Sequence, residues 1–197
     1  MVFIDYLTLL LINMTAGCCL LSSYVYWGLD DPLNKRWVPG FAIVGLVALG
    51  FGAHMTLTWP LIGQYNSAYG EMSVFFGVIF LGAALTIARG WSLLPIAIYA
   101  FYAGAAAVLL GVRIMSLGMT RTPALAGIGF ILSGLGGVFA APTFRWLRQN
   151  RPFRTLAAIL LGAAAVIWAI IGYMAYWGHM EGFAGWVPLV ARGAGAP

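Results

Sequence analysis

The chain has 197 residues, of which 62% are hydrophobic and only 8% are charged. A soluble domain carries roughly 25% charged residues, so this deficit excludes an ordinary water-soluble core and indicates a chain surrounded by lipid. The net charge of +5 does not indicate a nucleic-acid-binding protein. The basic residues cluster in short loops between apolar runs, and they form no single phosphate-binding face.

Six apolar runs follow one another along the chain, and each is long enough to cross a bilayer as a helix, which takes about 17–25 residues. Runs of this length without strict alternation favour helices over barrel strands. The sequence therefore predicts an all-α integral membrane bundle in residues 1–177, followed by an external C-terminal tail in residues 178–197. The predicted transmembrane spans are residues 2–29, 38–61, 72–88, 91–118, 124–141 and 155–177.

The positions of Lys and Arg predict the orientation of these spans, because short cytoplasmic loops carry an excess of both. The cytoplasmic side is predicted to hold Lys35, Arg36, Arg89, Arg145, Arg148, Arg151 and Arg154. The other side holds Arg121 and Arg192, with Arg113 near that end of its helix. We therefore expect a multi-pass protein of the inner membrane with both termini on the non-cytoplasmic side. A contact with anionic lipid is a second interpretation of the arginine run.

Residues 58–71 form the longest polar interruption that contains neither Lys nor Arg. Pro60, Gly63, Asn66 and Gly70 end a helix and favour a structured loop. The aromatic residues of this loop are typical of positions where a chain leaves hydrocarbon for water: Trp59, Tyr65 and Tyr69. We expect an ordered loop at the outer membrane interface.

Most ionisable side chains outside the inner loops are predicted to lie in one outer layer. These are Asp5, His54, Glu71, Arg113, His179 and Glu181. Ionisable residues within a membrane are costly and usually face the bundle interior, although each one alone is also explained as a wet interface residue. The layer predicts a polar pocket in the outer leaflet, with His54, Arg113, Tyr102 and Trp59 as candidate cofactor-binding residues.

Two His-Met pairs supply candidate metal ligands, because imidazole and thioether groups suit copper. The pairs are His54-Met55 and His179-Met180. Adjacent side chains on a helix point about 100° apart, so the two members of one pair would not face the same ion. A structural ion pair between Arg113 and an outer carboxylate is expected to close the outer pocket, with Glu71 as the first choice and Asp5 and Glu181 as alternatives.

The loop and the segment after the last span together resemble a known family. The matching stretches are Trp59-Pro60-Leu61, Tyr65-Asn66, Tyr69-Gly70-Glu71, Gly178-His179-Met180-Glu181-Gly182-Phe183 and Trp186-Val187-Pro188. In these stretches the chain is similar to an uncharacterised family of bacterial and archaeal multi-span membrane proteins, catalogued as a domain of unknown function. The resemblance implies a small helical membrane domain and gives no activity.

The sequence leaves three classes of function open. It contains no nucleotide-binding loop, zinc-protease motif or nucleophile elbow, which favours a non-enzymatic role. The expected function is an accessory or assembly subunit of a larger membrane complex, in contact with lipids and other membrane-protein subunits. The alternative is a redox subunit that binds haem b, copper or quinone near His54. A small-solute transporter is the third class, but no pair of broken helices supports it.

Overall fold

Six of the chain's helices are long and apolar enough to cross a membrane. A computed structural model describes residues 5–187, except for the side chains of residues 147 and 148. The seven helices of this part of the chain are α1 (Tyr6–Tyr26), α2 (Val38–Thr58), α3 (Met72–Arg89), α4 (Leu94–Leu117), α5 (Pro123–Ala140), the short α6 (Phe144–Gln149) and α7 (Arg151–Gly182). All except α6 are candidate membrane spans, which confirms the predicted six-span, all-α architecture.

The six long helices form a closed ring. Packing is most extensive in three pairs, α1 with α7, α2 with α3 and α4 with α5. The pairs join through α1–α2, α5–α7 and the smaller α3–α4 contact. We call the end of the bundle formed by residues 27–37, 90–93 and 141–150 the basic end, and the other the opposite end.

Close backbone contact explains the tightness of the pairs. A Cβ on Gly134 of α5 would lie 2.6 Å from the carbonyl oxygen of Gly104 in α4. A Cβ on Gly45 of α2 would lie 2.7 Å from the backbone nitrogen of Leu81 in α3. Apolar surface gives little driving force for helix association within lipid, so small residues that admit close van der Waals contact hold such pairs together.

The predicted helix boundaries need correction at several ends. The last helix begins at Arg151 and continues to Gly182, so residues 178–182 of the predicted tail are helical. The second helix ends at Thr58, because Trp59 adopts a left-handed conformation with φ of 47°. The predicted first and fourth spans are both longer than α1 and α4. Residues 2–4 of the predicted first span and 188–197 of the tail lie outside the described residues.

The loop of residues 58–71, at the opposite end, is ordered around one buried amide, that of Asn66. The Asn66 Oδ1 accepts a hydrogen bond from the backbone N–H of Leu61 at 3.0 Å, and its Nδ2 donates to the carbonyls of Leu61 and Gly63. Residues Asn66–Glu71 form a π-helical turn that leads into α3. The stacked rings of Tyr65 and Tyr69 then tie this turn to the bundle through the edge contact between Tyr69 and Phe130.

The packing of α4 on α5 generates the first prediction. Replacing Gly134 with Ala inserts a methyl group against the Gly104 backbone and should destabilise the protein by about 1–3 kcal/mol. Unfolding of the purified protein by SDS in mixed micelles, followed by circular dichroism, measures the change. The control is Gly50→Ala in α2, where a Cβ meets nothing within 4 Å. If the two variants unfold alike, the close contact does not limit stability.

Candidate functional site

An apolar internal cavity extends from the middle of the bundle to the basic end, and its volume is about 210 Å³. One wall is aromatic, with Phe76 and Phe80 of α3. The facing wall on α4 is made of small residues, namely Ala97, Ala100, Ala103, Gly104 and Ala107. A concave, mostly apolar site with few polar groups is the form that a binding site for a hydrophobic ligand takes.

The cavity wall contains few polar side chains, namely Cys18, Tyr24 and Ser133. Ser133 of α5 accepts a hydrogen bond from the indole N–H of Trp168 at 2.9 Å. The Sγ of Cys18 lies 3.8 Å from the same hydroxyl. Because Trp168 and Cys18 are buried and Ser133 already has these partners, the wall orients no strong acid or base toward a bound molecule.

The thinnest part of the cavity wall is the α3–α4 seam. These two helices pack against each other far less than α4 packs against α5. They meet where Ile96 approaches Gly82 and where the rings of Phe75 and Tyr99 lie 6.1 Å apart. The α3–α4 contact is therefore the weakest of the six contacts around the ring.

A second site lies at the opposite end, where α7 extends past the membrane span beside the start of α1. The Nδ1 of His179 lies 2.7 Å from Oδ2 of Asp5 and 2.9 Å from Oγ1 of Thr8. The Thr8 hydroxyl donates to Oδ1 of Asp5 at 2.7 Å. With the Thr8 proton directed at Asp5, this geometry assigns a proton to Nδ1 of His179, which donates to the carboxylate.

This cluster is a clamp between two helices and does not have the geometry of a hydrolase. A nucleophilic triad needs the hydroxyl on one imidazole nitrogen and the carboxylate on the other. Here Thr8 and Asp5 both contact the same nitrogen of His179. The cluster therefore fixes the orientation of the His179 ring and joins the end of α7 to α1. The sequence predicted Asp5 and His179 in one layer but did not indicate that they contact each other.

The predicted cofactor residues are not brought together into one pocket. His54 is exposed, and its ring makes an edge contact with Tyr6 at 5.6 Å. Tyr102 and Arg113 lie on the outward face of α4, and Tyr102 is 71% exposed. Trp59 ends α2 and is half exposed. None of these four residues lines the apolar cavity, which lies toward the basic end and not in the outer layer.

Two of the predicted cofactor residues, Tyr102 and Arg113, share one face of α4 with Tyr99 and Ser116, and this polar stripe faces outward. The residues of α4 that are buried are Ala97, Ala100, Ala103, Gly104, Gly111 and Ile114. Close packing on α5 admits only small side chains over most of this face, so the tyrosines and Arg113 turn outward. Spacing alone aligned the stripe on one face but could not say which face was buried.

The predicted ion pair between Arg113 and Glu71 is not formed. Glu71 accepts a hydrogen bond from Ser67 at 2.9 Å, whereas Arg113 contacts the hydroxyl of Ser116 at 3.4 Å. Both residues are exposed, which lets water or headgroups solvate each charge separately. Among the described residues, the ion pairs are Arg36–Asp31, Arg154–Asp30 and His179–Asp5.

The candidate metal ligands also point in different directions. Met55 is fully buried in the core, whereas the neighbouring His54 is exposed. Met180 is 77% exposed, and the adjacent His179 is engaged with Asp5. Within residues 5–187, no three His, Cys, Asp or Glu side chains are grouped closely enough to hold a metal ion.

The basic end is ordered by acidic residues that the sequence analysis left without a role. Asp31 accepts hydrogen bonds from the backbone N–H of Leu33 at 2.9 Å and from the indole of Trp37 at 3.1 Å, and Arg36 lies 2.7 Å away. The hydrogen bond from the Leu33 N–H contributes most to holding the pKa of Asp31 below its ordinary value. Trp37 and Arg36 lower the pKa further. Its ionised form therefore stabilises this loop at neutral pH, and that contribution is lost as the pH falls through the lowered pKa.

The fold and both sites define a polytopic helical membrane protein with an internal apolar cavity. Residues 1–182 match the model of a protein family of unknown function, DUF981. The chain belongs to this family, which confirms the resemblance drawn from the loop and the end of α7. Neither the curated proteins nor the solved structures contain a match to the chain.

The clamp generates the second prediction. Replacing His179 with Ala removes one partner of Asp5 and should cost about 0.5–1.5 kcal/mol, as expected for one partly exposed hydrogen bond. The loss should be local, so amide hydrogen exchange should accelerate in residues 176–187 and remain unchanged in α4. His54→Ala is the matched control, because His54 makes only a ring contact. Equal exchange in both variants would mean that the clamp does not hold the end of α7.

Proposed function

We propose that the protein binds the apolar chain of a membrane-soluble molecule, such as an acyl or isoprenoid chain, in its internal cavity. The observation that carries this proposal is the 210 Å³ cavity, with an aromatic wall on α3 and a small-residue wall on α4. Engineered apolar cavities of about 150 Å³ already bind small hydrophobic molecules. The weakly packed α3–α4 seam supplies a route from the bilayer.

The same cavity supports a redox role only for a quinone. An isoprenoid tail would fit between Phe80 and the small residues of α4, whereas haem or copper would need ligands that face the bound group. The two histidines lie outside the cavity, so we do not propose a haem or copper centre at His54. The absence of an oriented acid or base in the wall supports binding rather than catalysis.

The third prediction tests the cavity directly. Ala103→Phe fills the space from the α4 wall and should reduce the hydrophobic molecule that co-purifies with the protein by at least about tenfold, because the side chain occupies its site. Native mass spectrometry of protein extracted from its own membrane measures the bound species. The control is Ala105→Phe, whose side chain lies on the exposed face of the same helix. Undiminished binding in Ala103→Phe would place the molecule elsewhere.

We propose further that the protein is an accessory or assembly subunit of a larger membrane complex. The support is the outward face of α4, where Tyr99, Tyr102, Arg113 and Ser116 are exposed on a membrane-spanning helix. Polar and charged side chains on a lipid-facing surface are costly unless they reach the interface or a protein partner covers them. A helix of another subunit against this face would supply that cover.

The fourth prediction tests this face with a photo-reactive amino acid. Placed at Tyr102, it should form one discrete protein adduct in native membranes, identified by mass spectrometry. Placed at Ile43, an exposed apolar position on α2, it should label only lipid. Lipid adducts at both positions would contradict the accessory-subunit proposal. An adduct with a second copy of this chain would show instead that the face serves self-association.

We also propose that the basic end faces the cytoplasm and that the protein resides in the inner membrane. Lys35, Arg36 and Arg89 lie at this end together with α6 and the start of α7, and this excess is typical of cytoplasmic loops. Both ends of the chain would then lie on the non-cytoplasmic side.

A further inference from the structure

A second pocket lies at the basic end, between the end of α1 and the first turns of α7. Its volume is about 260 Å³, and it is separate from the apolar cavity. The lining residues are Tyr26, Trp27, Asp30, Arg151, Arg154 and Thr155. Two guanidinium groups against one carboxylate give the pocket a net positive charge.

The pocket is built around a fixed arginine. The side chain of Arg154 is only 5% exposed, and its Nη1 lies 2.5 Å from Oδ2 of Asp30. This bond joins the two helices and holds one positive charge at the back of the pocket. Arg151 lies one turn earlier on α7, is exposed, and makes no ion pair with any described carboxylate. It is therefore available to an anion that enters from outside.

The position of the pocket at the end of α1 and the aromatic residues at its rim suit a lipid headgroup. Tyr26 and Trp27 are 43% and 61% exposed, and their rings meet edge to face at the end of α1, where interfacial aromatics lie. Further toward the middle of the bundle, the Ser22 hydroxyl of α1 donates a hydrogen bond to the Ala158 carbonyl of α7 at 2.7 Å. This bond holds the two helices close together along the α1–α7 seam. The exposed Ile159 follows on α7, so an acyl chain can lie along this seam while its headgroup occupies the pocket.

We propose that this pocket binds the phosphate of an anionic phospholipid from the surrounding leaflet. Arg151 would contact the phosphate oxygens as a charge-assisted donor, and Arg154 would contribute its fixed charge. Asp30 would accept hydrogen bonds from headgroup hydroxyls, as those of phosphatidylglycerol offer. The site is independent of the apolar cavity, so Ala103→Phe should leave it intact.

The fifth prediction concerns the response of the purified protein to added lipid. Phosphatidylglycerol should raise the melting temperature of the detergent-solubilised protein, because a ligand that binds only the folded state stabilises it. Arg151→Gln should weaken the apparent affinity by at least about tenfold, the usual effect of losing one charge-assisted bond. Arg145→Gln is the matched control, since it removes the same charge from an exposed position nearby that does not line the pocket.

The remaining comparisons identify what the pocket recognises. Diacylglycerol with the same chains should give no shift, and phosphatidylcholine should give a smaller one. Arg151→Lys should recover part of the affinity, which shows that a loss in Arg151→Gln reflects charge and not misfolding. Equal losses in Arg145→Gln and Arg151→Gln, or equal shifts from diacylglycerol and phosphatidylglycerol, would overturn the proposal. An equal effect of inorganic phosphate would reassign the pocket to a free anion.

Discussion

Close backbone contact within the α4–α5 and α2–α3 pairs is the constraint on which the rest of this structure depends. Lipid offers no hydrogen-bond partners to the backbone, and it weakens the hydrophobic drive between helices, so the pairs form where glycine and alanine allow close approach. Gly104 and Gly134 bring α4 against α5, and Gly45 brings α2 against α3. Side chains that do not fit these contacts must turn outward or toward the centre of the ring.

The cavity follows from that pairing. The small residues that serve the α4–α5 contact also line the centre of the ring, where α3 presents Phe76 and Phe80 opposite a wall of mostly small residues on α4. Because α3 and α4 belong to different pairs, their own contact is small and does not close the space. One feature of the sequence, the small residues of α4, thus explains the strong pair, the cavity and the weak seam.

The sequence was sufficient to predict the architecture but not the arrangement of the sites. Hydropathy and length predict six spans, since these depend on composition over about twenty residues. The loop of residues 58–71 was also predictable, because Pro60, Gly63 and Asn66 have local turn chemistry. The inward face of α4 was not predictable from spacing, which aligns residues without saying what packs on them. The partners of His179 and Arg154 are 174 and 124 residues away in sequence, and no local pattern indicates contacts at such separations.

The polar chemistry of the described chain divides between the two ends. At the opposite end, Asp5, Thr8 and His179 satisfy one another, so that cluster fixes a helix end and has little capacity left for a ligand. At the basic end, Asp30 fixes Arg154 but leaves the exposed Arg151 beside it without a carboxylate partner. The exposed charge of Arg151 beside the paired Arg154 is the stronger sign of an external ligand. We therefore propose that the bundle meets apolar chains through its interior and phosphate groups through its basic end.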